Sequence, residues 1–457
     1  MNKNKTKLFG TDGVRGIANV EPITAETALK LGRAAAYVFK NPDSRSRIVI
    51  GKDTRLSCYM LETALVAGLC SMGVDVLLVG PMPTPGVSFL TRSLRAAAGI
   101  VISASHNPYH DNGIKFFGAD GYKLEKDLEQ KIEELISTGE IDDIRPTMTD
   151  VGKAYRIDDA TGRYIEFAKN TLPKGLTLDG LRIVVDCANG AAYKVAPAIL
   201  KELGAEVIVY NNEPNGTNIN DKCGSTCPET LRKYVIDENA DAGISLDGDA
   251  DRVIMVDEDA MIIDGDQILA IIARYWKDQN LLPNNAVVST IVGNLGVENA
   301  LLKYNIKTYR SDVGDRNVIY CMKENGAELG GESCGHIIVH GVTTTGDGVL
   351  AALQVLAVMK QTEMSLGKLR KDFPKYPSVS QNIKVIKKPE VKEVIPLYKA
   401  FEKYSNELSD KGRIIIRYSG TEPKLRILVE GNDELQINKI CKELSKIAKE
   451  ELGEQII

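Results

Sequence analysis

The chain has 457 residues, too many for one ordinary hydrophobic core, and the length suggests three or four domains. With 43% hydrophobic and 26% charged residues it has the composition of a soluble globular protein, and a net charge of −5 argues against a nucleic-acid partner. Met1 to Lys5 is basic, but no apolar signal segment follows and no apolar run could span a bilayer, so a cytoplasmic protein with no membrane partner is expected.

Phe9-Gly10-Thr11-Asp12-Gly13-Val14-Arg15-Gly16 reads as a glycine-rich loop that lets Arg15 reach an anion, or as a simple turn. A helix capped by Thr24 follows to Phe39. Strands are then expected at 47–50, 74–79 and 97–103, with helices at 56–72 and 85–94 between them. The same order returns at 181–186, 192–203, 205–210, 228–239 and 241–246, and again at 286–290, 296–304, 306–310, 316–325 and 327–331. Strands alternating with helices imply βαβ units and largely parallel sheets. The last segment differs, with strands at 383–386, 413–417 and 425–429 and helices at 391–408 and 434–452. The fold expected is α/β: three similar α/β domains with mixed, mostly parallel sheets plus a C-terminal α+β domain, around a central cleft. The divisions fall at 1–157, 158–257, 258–371 and 372–457.

The third strand of each unit ends in unusual chemistry, and loops at strand C-termini are where α/β proteins bind ligands. Ser103-Ala104-Ser105-His106-Asn107-Pro108 hands a serine and a histidine to a loop, with Lys115 following; alone, this is also a polar loop with a hairpin at Asn112-Gly113. Asp247, Asp249 and Asp251 are spaced two apart, which in an extended loop puts three carboxylates on one side, a hard-oxygen set suited to Mg²⁺. Asp257-Glu258-Asp259 reads as an acidic solvated turn. Glu332 in Gly331-Glu332-Ser333-Cys334-Gly335-His336 reads as an acceptor for sugar hydroxyls or, alone, as a solvated strand-end glutamate. Arg417, Ser419, Gly420 and Thr421, flanked by Lys424 and Arg426, form an anion-site pattern. The eight cysteines are scattered and read as reduced thiols, and neither Cys223/Cys227 nor the His106/His110 and His336/His340 pairs make a convincing zinc site. A serine nucleophile, a carboxylate cluster, a polyol-binding glutamate and a remote phosphate clamp suit phosphoryl transfer on a phosphosugar.

These four motifs, in this order, closely resemble the α-D-phosphohexomutase superfamily over nearly the whole chain. Phe9 to Gly16, Asp111 to Phe117, Val313-Gly314-Asp315-Arg316 and Thr344-Thr345-Gly346-Asp347-Gly348 resemble most its bacterial amino-sugar members. The resemblance implies that Ser105 carries a phosphoryl group, and that Ser105, Asp247, Asp249 and Asp251 hold one Mg²⁺. Arg15, Lys115, Arg252 and His106 would assist transfer, with Lys115 as proton shuttle. Glu332, Cys334 and His336 would contact the sugar, and Arg417, Ser419, Gly420, Thr421 and Arg426 the phosphate that does not react. The expected reaction interconverts glucosamine 6-phosphate and glucosamine 1-phosphate through a hexose 1,6-bisphosphate, supplying cell-wall precursors. A homodimer is also suggested. Cys334 stands where the family usually has serine, Ser333 where amino-sugar enzymes have glutamine, and Tyr418 where a proline is usual. Altered KM or specificity is expected from these before loss of activity. The competing readings are a glucose- or mannose-phosphate mutase, a serine-dependent sugar phosphatase and a non-catalytic phosphosugar sensor.

Overall fold

The computed structural model describes residues 7–41, 43–419 and 423–453. Four sheets account for the described strands. The first contains β1 (Val14–Ile17), β2 (Arg47–Lys52), β3 (Asp75–Pro81), β4 (Ala98–Ile102), β5 (Asp111–Gly118) and β6 (Ala154–Arg156), in the order β1-β5-β4-β2-β3-β6. The second contains β7 (Arg182–Asp186), β8 (Glu206–Tyr210), β9 (Ala242–Leu246), β10 (Val253–Asp257) and β11 (Ile262–Ile263), in the order β11-β10-β9-β7-β8. It runs past the division drawn at residue 257. The third contains β12 (Ala286–Thr290), β13 (Lys307–Ser311), β14 (Leu329–Gly331) and β15 (Ile337–Val339), in the order β13-β12-β14-β15.

One plan underlies all three. Three parallel strands are joined by helical crossovers, and a fourth strand turns back antiparallel against the third: β5 on β4, β10 on β9 and β15 on β14. The sequence reading anticipates the parallel strands but not this fourth one. Each distinctive motif is therefore a tight connection between two paired strands, fixed at both ends. Asn112-Gly113 is not a hairpin turn: both residues lie inside β5 and pair with β1. Lys115 likewise projects from β5, opposite Val101, rather than from a loop. Arg15 sits on β1 opposite Gly113, not in a glycine-rich loop.

Local chemistry explains the main helices. Thr24 caps the helix Ala25–Phe39 by accepting the Thr27 N–H at 3.2 Å. Asp347 caps the helix Gly348–Thr362, whose first twelve residues are all buried, which is why it is apolar on every side. Asp257 and Glu258 are not a solvated turn. Asp257 is buried and pairs with Arg370 at 2.7 Å, and Glu258 accepts the Gly367 N–H at 2.9 Å, so together they hold the helix Leu366–Lys371.

The fourth sheet is antiparallel, ordered β16 (Ser378–Lys384), β18 (Lys424–Gly431), β17 (Gly412–Tyr418). β16 begins five residues before the expected strand because Ser378, Ser380, Gln381 and Asn382 hide it behind polar side chains, although all seven of its residues pair with β18. The following helix starts at Ile395 rather than Val391, with Pro396 in its first turn and a 3₁₀ turn ahead of it. Apolar residues from Val49 to Phe373 pack into one continuous core shared by the first three units, whereas the fourth unit has its own core from Ile383 to Leu452. No described helix is long and apolar enough to cross a membrane. All eight cysteines are free.

Candidate active site

Ser105 follows β4 with φ +53° and is 1% exposed. A non-glycine residue in this region must be held there by its surroundings. Its N–H donates to Ser103 Oγ at 2.9 Å, and Ser103 in turn donates to Asp53 at 2.6 Å. Its carbonyl accepts from Arg55 at 3.0 Å and from Asn220 at 2.9 Å, and both donors also reach the Asn107 carbonyl. So fixed, Ser105 Oγ donates to Asp247 Oδ2 at 2.6 Å, joining the first unit's loop to the second unit's. His106 Nδ1 lies 3.3 Å from the same oxygen. Burial, then Arg252 and Arg15, push the His106 imidazole down to about 4, so it is neutral near pH 7.

Asp247, Asp249 and Asp251 are buried, and one oxygen from each lies within 4.8 Å of the others. Asp247 accepts from Ser105 and from the Arg252 N–H, the latter at 3.2 Å. Asp249 Oδ2 accepts from Lys115 at 2.8 Å and from Thr84 at 2.6 Å. Asp249 Oδ1 and Asp251 Oδ1 are buried with no hydrogen-bond partner. Orphaned buried acceptors of this kind carry a desolvation cost that a cation would relieve. Burial, followed by the charges of Asp251 and Asp249, pushes the Asp247 carboxyl well above the usual range. Three hard-oxygen ligands with two vacant lone-pair sets fit Mg²⁺.

A chain of alternating charge leads away from this cluster. Lys115, 1% exposed, lies 2.8 Å from Asp249, 3.4 Å from Asp12 and 3.9 Å from Asp251. Burial would lower its pKa, but Asp12, Asp249 and Asp251 outweigh burial and hold it above the ordinary value. Asp12 also pairs with Arg15 and Lys123, and Lys123 continues to Asp315 of the third unit. His336 stands between Asp251 at 3.6 Å and Asp315 at 4.0 Å, and accepts the Gly346 N–H at 3.0 Å. Opposite these acids, Arg15 Nε and Arg252 Nε are buried donors without a hydrogen-bond acceptor, Arg252 Nε lying 3.8 Å from Asp251 Oδ1. The cluster thus offers orphan acceptors for a cation beside orphan donors for an anion.

Glu332 and Cys334 are half-buried on the loop between β14 and β15. Glu332 accepts the Gly314 N–H at 3.2 Å. Burial pushes the Cys334 thiol up to about 11 even though Arg252 draws it down, so a neutral thiol faces that guanidinium. Arg417 and Arg426 face each other across β17 and β18. Like charges directly opposite are unfavourable in a sheet unless an anion is shared. Burial, then Arg426, lowers the Arg417 pKa. A cleft of about 370 Å³ lined by both arginines also reaches Ser333, so the β17–β18 face and the loop between β14 and β15 open onto one space. Ser419 is buried, with its carbonyl accepting from Lys388 at 2.8 Å. Gly420 and Thr421 lie outside the described residues.

The structure therefore gathers Ser105, His106, Lys115, Arg15, Arg252, His336 and the three aspartates, while Arg417, Ser419 and Arg426 sit on a separate unit. Asp12 lies in the Phe9 to Gly16 motif without being singled out, and Asp53, Arg55, Thr84, Lys123 and Asn220 are missing from the sequence reading. Asp53-Thr54-Arg55 at the end of β2 carries the one available signal, since polar residues there follow a buried strand.

Four family models match in chain order. They are phosphoglucomutase/phosphomannomutase α/β/α domain I (residues 6–142), domain II (162–261) and domain III (264–376), and the C-terminal domain (381–447). The phosphoglucosamine mutase of Geotalea uraniireducens (strain Rf4) is 55% identical over 447 residues, covering 98% of each chain. That of Myxococcus xanthus (strain DK1622) is 54% identical over 439 residues, covering 96% of each. Among solved structures, a phosphoglucomutase/phosphomannomutase family protein from Burkholderia thailandensis has the same fold, with a TM-score of 0.81 at 23% identity over 97% of both chains. The N-acetylphosphoglucosamine mutase of Aspergillus fumigatus, solved with GlcNAc-6P and magnesium, superposes with a TM-score of 0.67 at 16% identity over 97% of this chain and 95% of that one. The chain belongs to the phosphoglucomutase/phosphomannomutase family, within the α-D-phosphohexomutase superfamily.

Proposed function

We propose that the chain is a phosphotransferase-type isomerase that interconverts glucosamine 6-phosphate and glucosamine 1-phosphate through phosphorylated Ser105 and a hexose 1,6-bisphosphate. The observation that carries this reading is the buried Ser105 hydroxyl 2.6 Å from Asp247, within three carboxylates that keep two orphaned oxygens. The relatives from Geotalea and Myxococcus, by name phosphoglucosamine mutases, support the amino-sugar substrate.

Asp247, Asp249, Asp251 and Ser105 would hold Mg²⁺, which when bound supplies charge neutralisation for the phosphoryl oxygens. Arg15 and Arg252 would donate to the same oxygens from their Nε–H groups, which lack a hydrogen-bond acceptor. The sugar hydroxyl oxygen bonds to phosphorus as the P–Oγ bond of Ser105 breaks. Lys115, kept protonated by its acidic neighbours, would give a proton to the departing oxygen and recover one from the attacking hydroxyl. Neutral His106 completes the wall beside Ser105. Glu332, Cys334 and His336 orient the sugar, while Arg417, Ser419 and Arg426, with Gly420 and Thr421, retain the other phosphate. Cytoplasmic action is supported by the eight free cysteines. A homodimer rests on the family resemblance alone.

Intact-mass analysis after incubation with glucose 1,6-bisphosphate tests the central step: phosphate should map to Ser105 and be absent from Ser105→Ala. An unmodified, inactive wild-type Ser105 would refute it. The sugar is tested by comparing kcat/KM on glucosamine 6-phosphate, glucose 1-phosphate and mannose 1-phosphate. Ser333, where amino-sugar enzymes typically have glutamine, keeps a second reading open, a glucose- or mannose-phosphate mutase on the same machinery, and the amino sugar performing worst of the three would establish it.

A further inference from the structure

We propose that Thr84 is a positioning residue that turns Asp249 toward the metal and sets metal affinity. This rests on the reading of the aspartate loop as a metal site. Thr84 belongs to the first unit, at the start of the helix Thr84–Ser93, and is fully buried. It grips Asp249 of the second unit twice. Its N–H donates to the Asp249 carbonyl at 2.9 Å, and its hydroxyl donates to Asp249 Oδ2 at 2.6 Å. The first bond satisfies one of the donors that a helix N-terminus leaves without a partner, so the backbone of the loop is fixed by the helix itself.

The second bond decides which carboxylate oxygen is free. Lys115 donates to that same Oδ2 at 2.8 Å, so two donors converge on one oxygen and the other, Oδ1, is left buried and unpartnered. A carboxylate held by Lys115 alone can rotate and offer either oxygen to the ammonium. With Thr84 on Oδ2, rotation would break a charge-assisted hydrogen bond and strand a buried hydroxyl. Asp247 and Asp251 are oriented by other groups: Ser105 and the Arg252 N–H for the former, Lys115 and His336 for the latter. Thr84 is thus the uncharged group dedicated to Asp249, and it fixes that orientation before any cation arrives. Residues that orient ligating carboxylates typically change metal affinity by about 10–100-fold when removed.

The test is Mn²⁺ binding to full-length wild type, Thr84→Val and Thr84→Ser, read by electron paramagnetic resonance and calorimetry, with thermal unfolding as a check on folding. Thr84→Val keeps the shape without the hydroxyl and should weaken Mn²⁺ binding at least about tenfold. Thr84→Ser restores the donor and should bind close to wild type. In an Asp249→Asn background, Thr84→Val should add no further loss, which a general packing defect would not reproduce. KM for the phosphosugar should stay unchanged while the Mg²⁺ concentration for half-maximal rate rises. A folded Thr84→Val that binds Mn²⁺ as tightly as wild type overturns the proposal. Wild type that binds no Mn²⁺ overturns instead the metal-site reading on which it rests. Should valine prevent folding, Thr84→Ala carries the same expectation and the same refutation.

Discussion

Lys115 shows how tightly the charges of the site are balanced. It stands among Asp249, Asp12 and Asp251, and its loss leaves those carboxylates facing one another in a buried space. Removing one partner of a buried ion pair typically costs about 3–5 kcal/mol. Lys115→Met should therefore lower the thermal midpoint of metal-free protein, and Mg²⁺ should recover much of that loss by replacing the missing positive charge. Equal destabilisation with and without Mg²⁺ in a thermal-shift assay would contradict this account. On β17, Arg417→Ala should raise KM for the phosphosugar by about 10–100-fold with a smaller change in kcat, the scale of one hydrogen bond to a charged group. Steady-state kinetics will show it. Ser105 and the three aspartates are legible in the sequence because each motif is local. Asp53 and Arg55 show only as a polar strand end, and Thr84 and Asn220 are not legible at all, because each is an isolated residue that meets the Asp249 or Ser105 loop only through the fold, with Thr84 lying 165 residues from Asp249.

At the scale of elements, the returning fourth strand does most to fix the loops. Gly335, in the turn between β14 and β15, has φ +93°, and a Cβ there would fall 1.9 Å from the Val253 carbonyl oxygen on β10. Both conditions call for glycine. Gly335→Ala should destabilise the protein by roughly 2 kcal/mol or more and displace Glu332 and Cys334, seen as a lower denaturation midpoint with a raised sugar KM. Unchanged values of both would mean that this loop tolerates displacement. The parallel strands β4, β7, β9 and β12 stand out in the sequence as short apolar runs because the sheets bury them on both faces. β5, β10 and β15 escape notice for another reason. Each follows within about nine residues of a motif whose polar and turn-forming residues suggest that the chain remains a loop.

Over the whole molecule, Asp347 ties the third unit to the helix Ala160–Lys169. Both its oxygens accept from Tyr164, at 2.9 and 3.0 Å, and it caps the helix that follows. Burial raises its carboxyl from 3.8 to about 6. The folded state therefore binds this proton more tightly than the unfolded state does. The stability this contributes is complete below about pH 3.8 and is lost as pH rises through about 6, a change of roughly 3 kcal/mol. Asp347→Asn keeps a capping side chain but does not titrate, so its midpoint relative to wild type should rise between pH 4 and pH 7 in chemical denaturation. A constant difference across that range would refute the assignment.

The separate core of the C-terminal unit has a consequence for how such an enzyme can change. The contacts that join this unit's sheet to the third include Arg413 to the Gly293 carbonyl and Glu430 to the Leu295 N–H, with Tyr376 of the connecting segment bonded to Asn294, and among the described residues the apolar core from Ile383 to Leu452 is separate from the shared one. The Ser105 and aspartate loops, proposed to carry phosphoryl transfer, are buried among the other three units, where almost any exchange disturbs neighbours. Arg417 and Arg426, the residues proposed to hold the phosphate, sit instead on a unit with its own core. Recombination or grafting at this polar seam could retune which phosphorylated end is held, and how long, while leaving the reacting serine in its original surroundings.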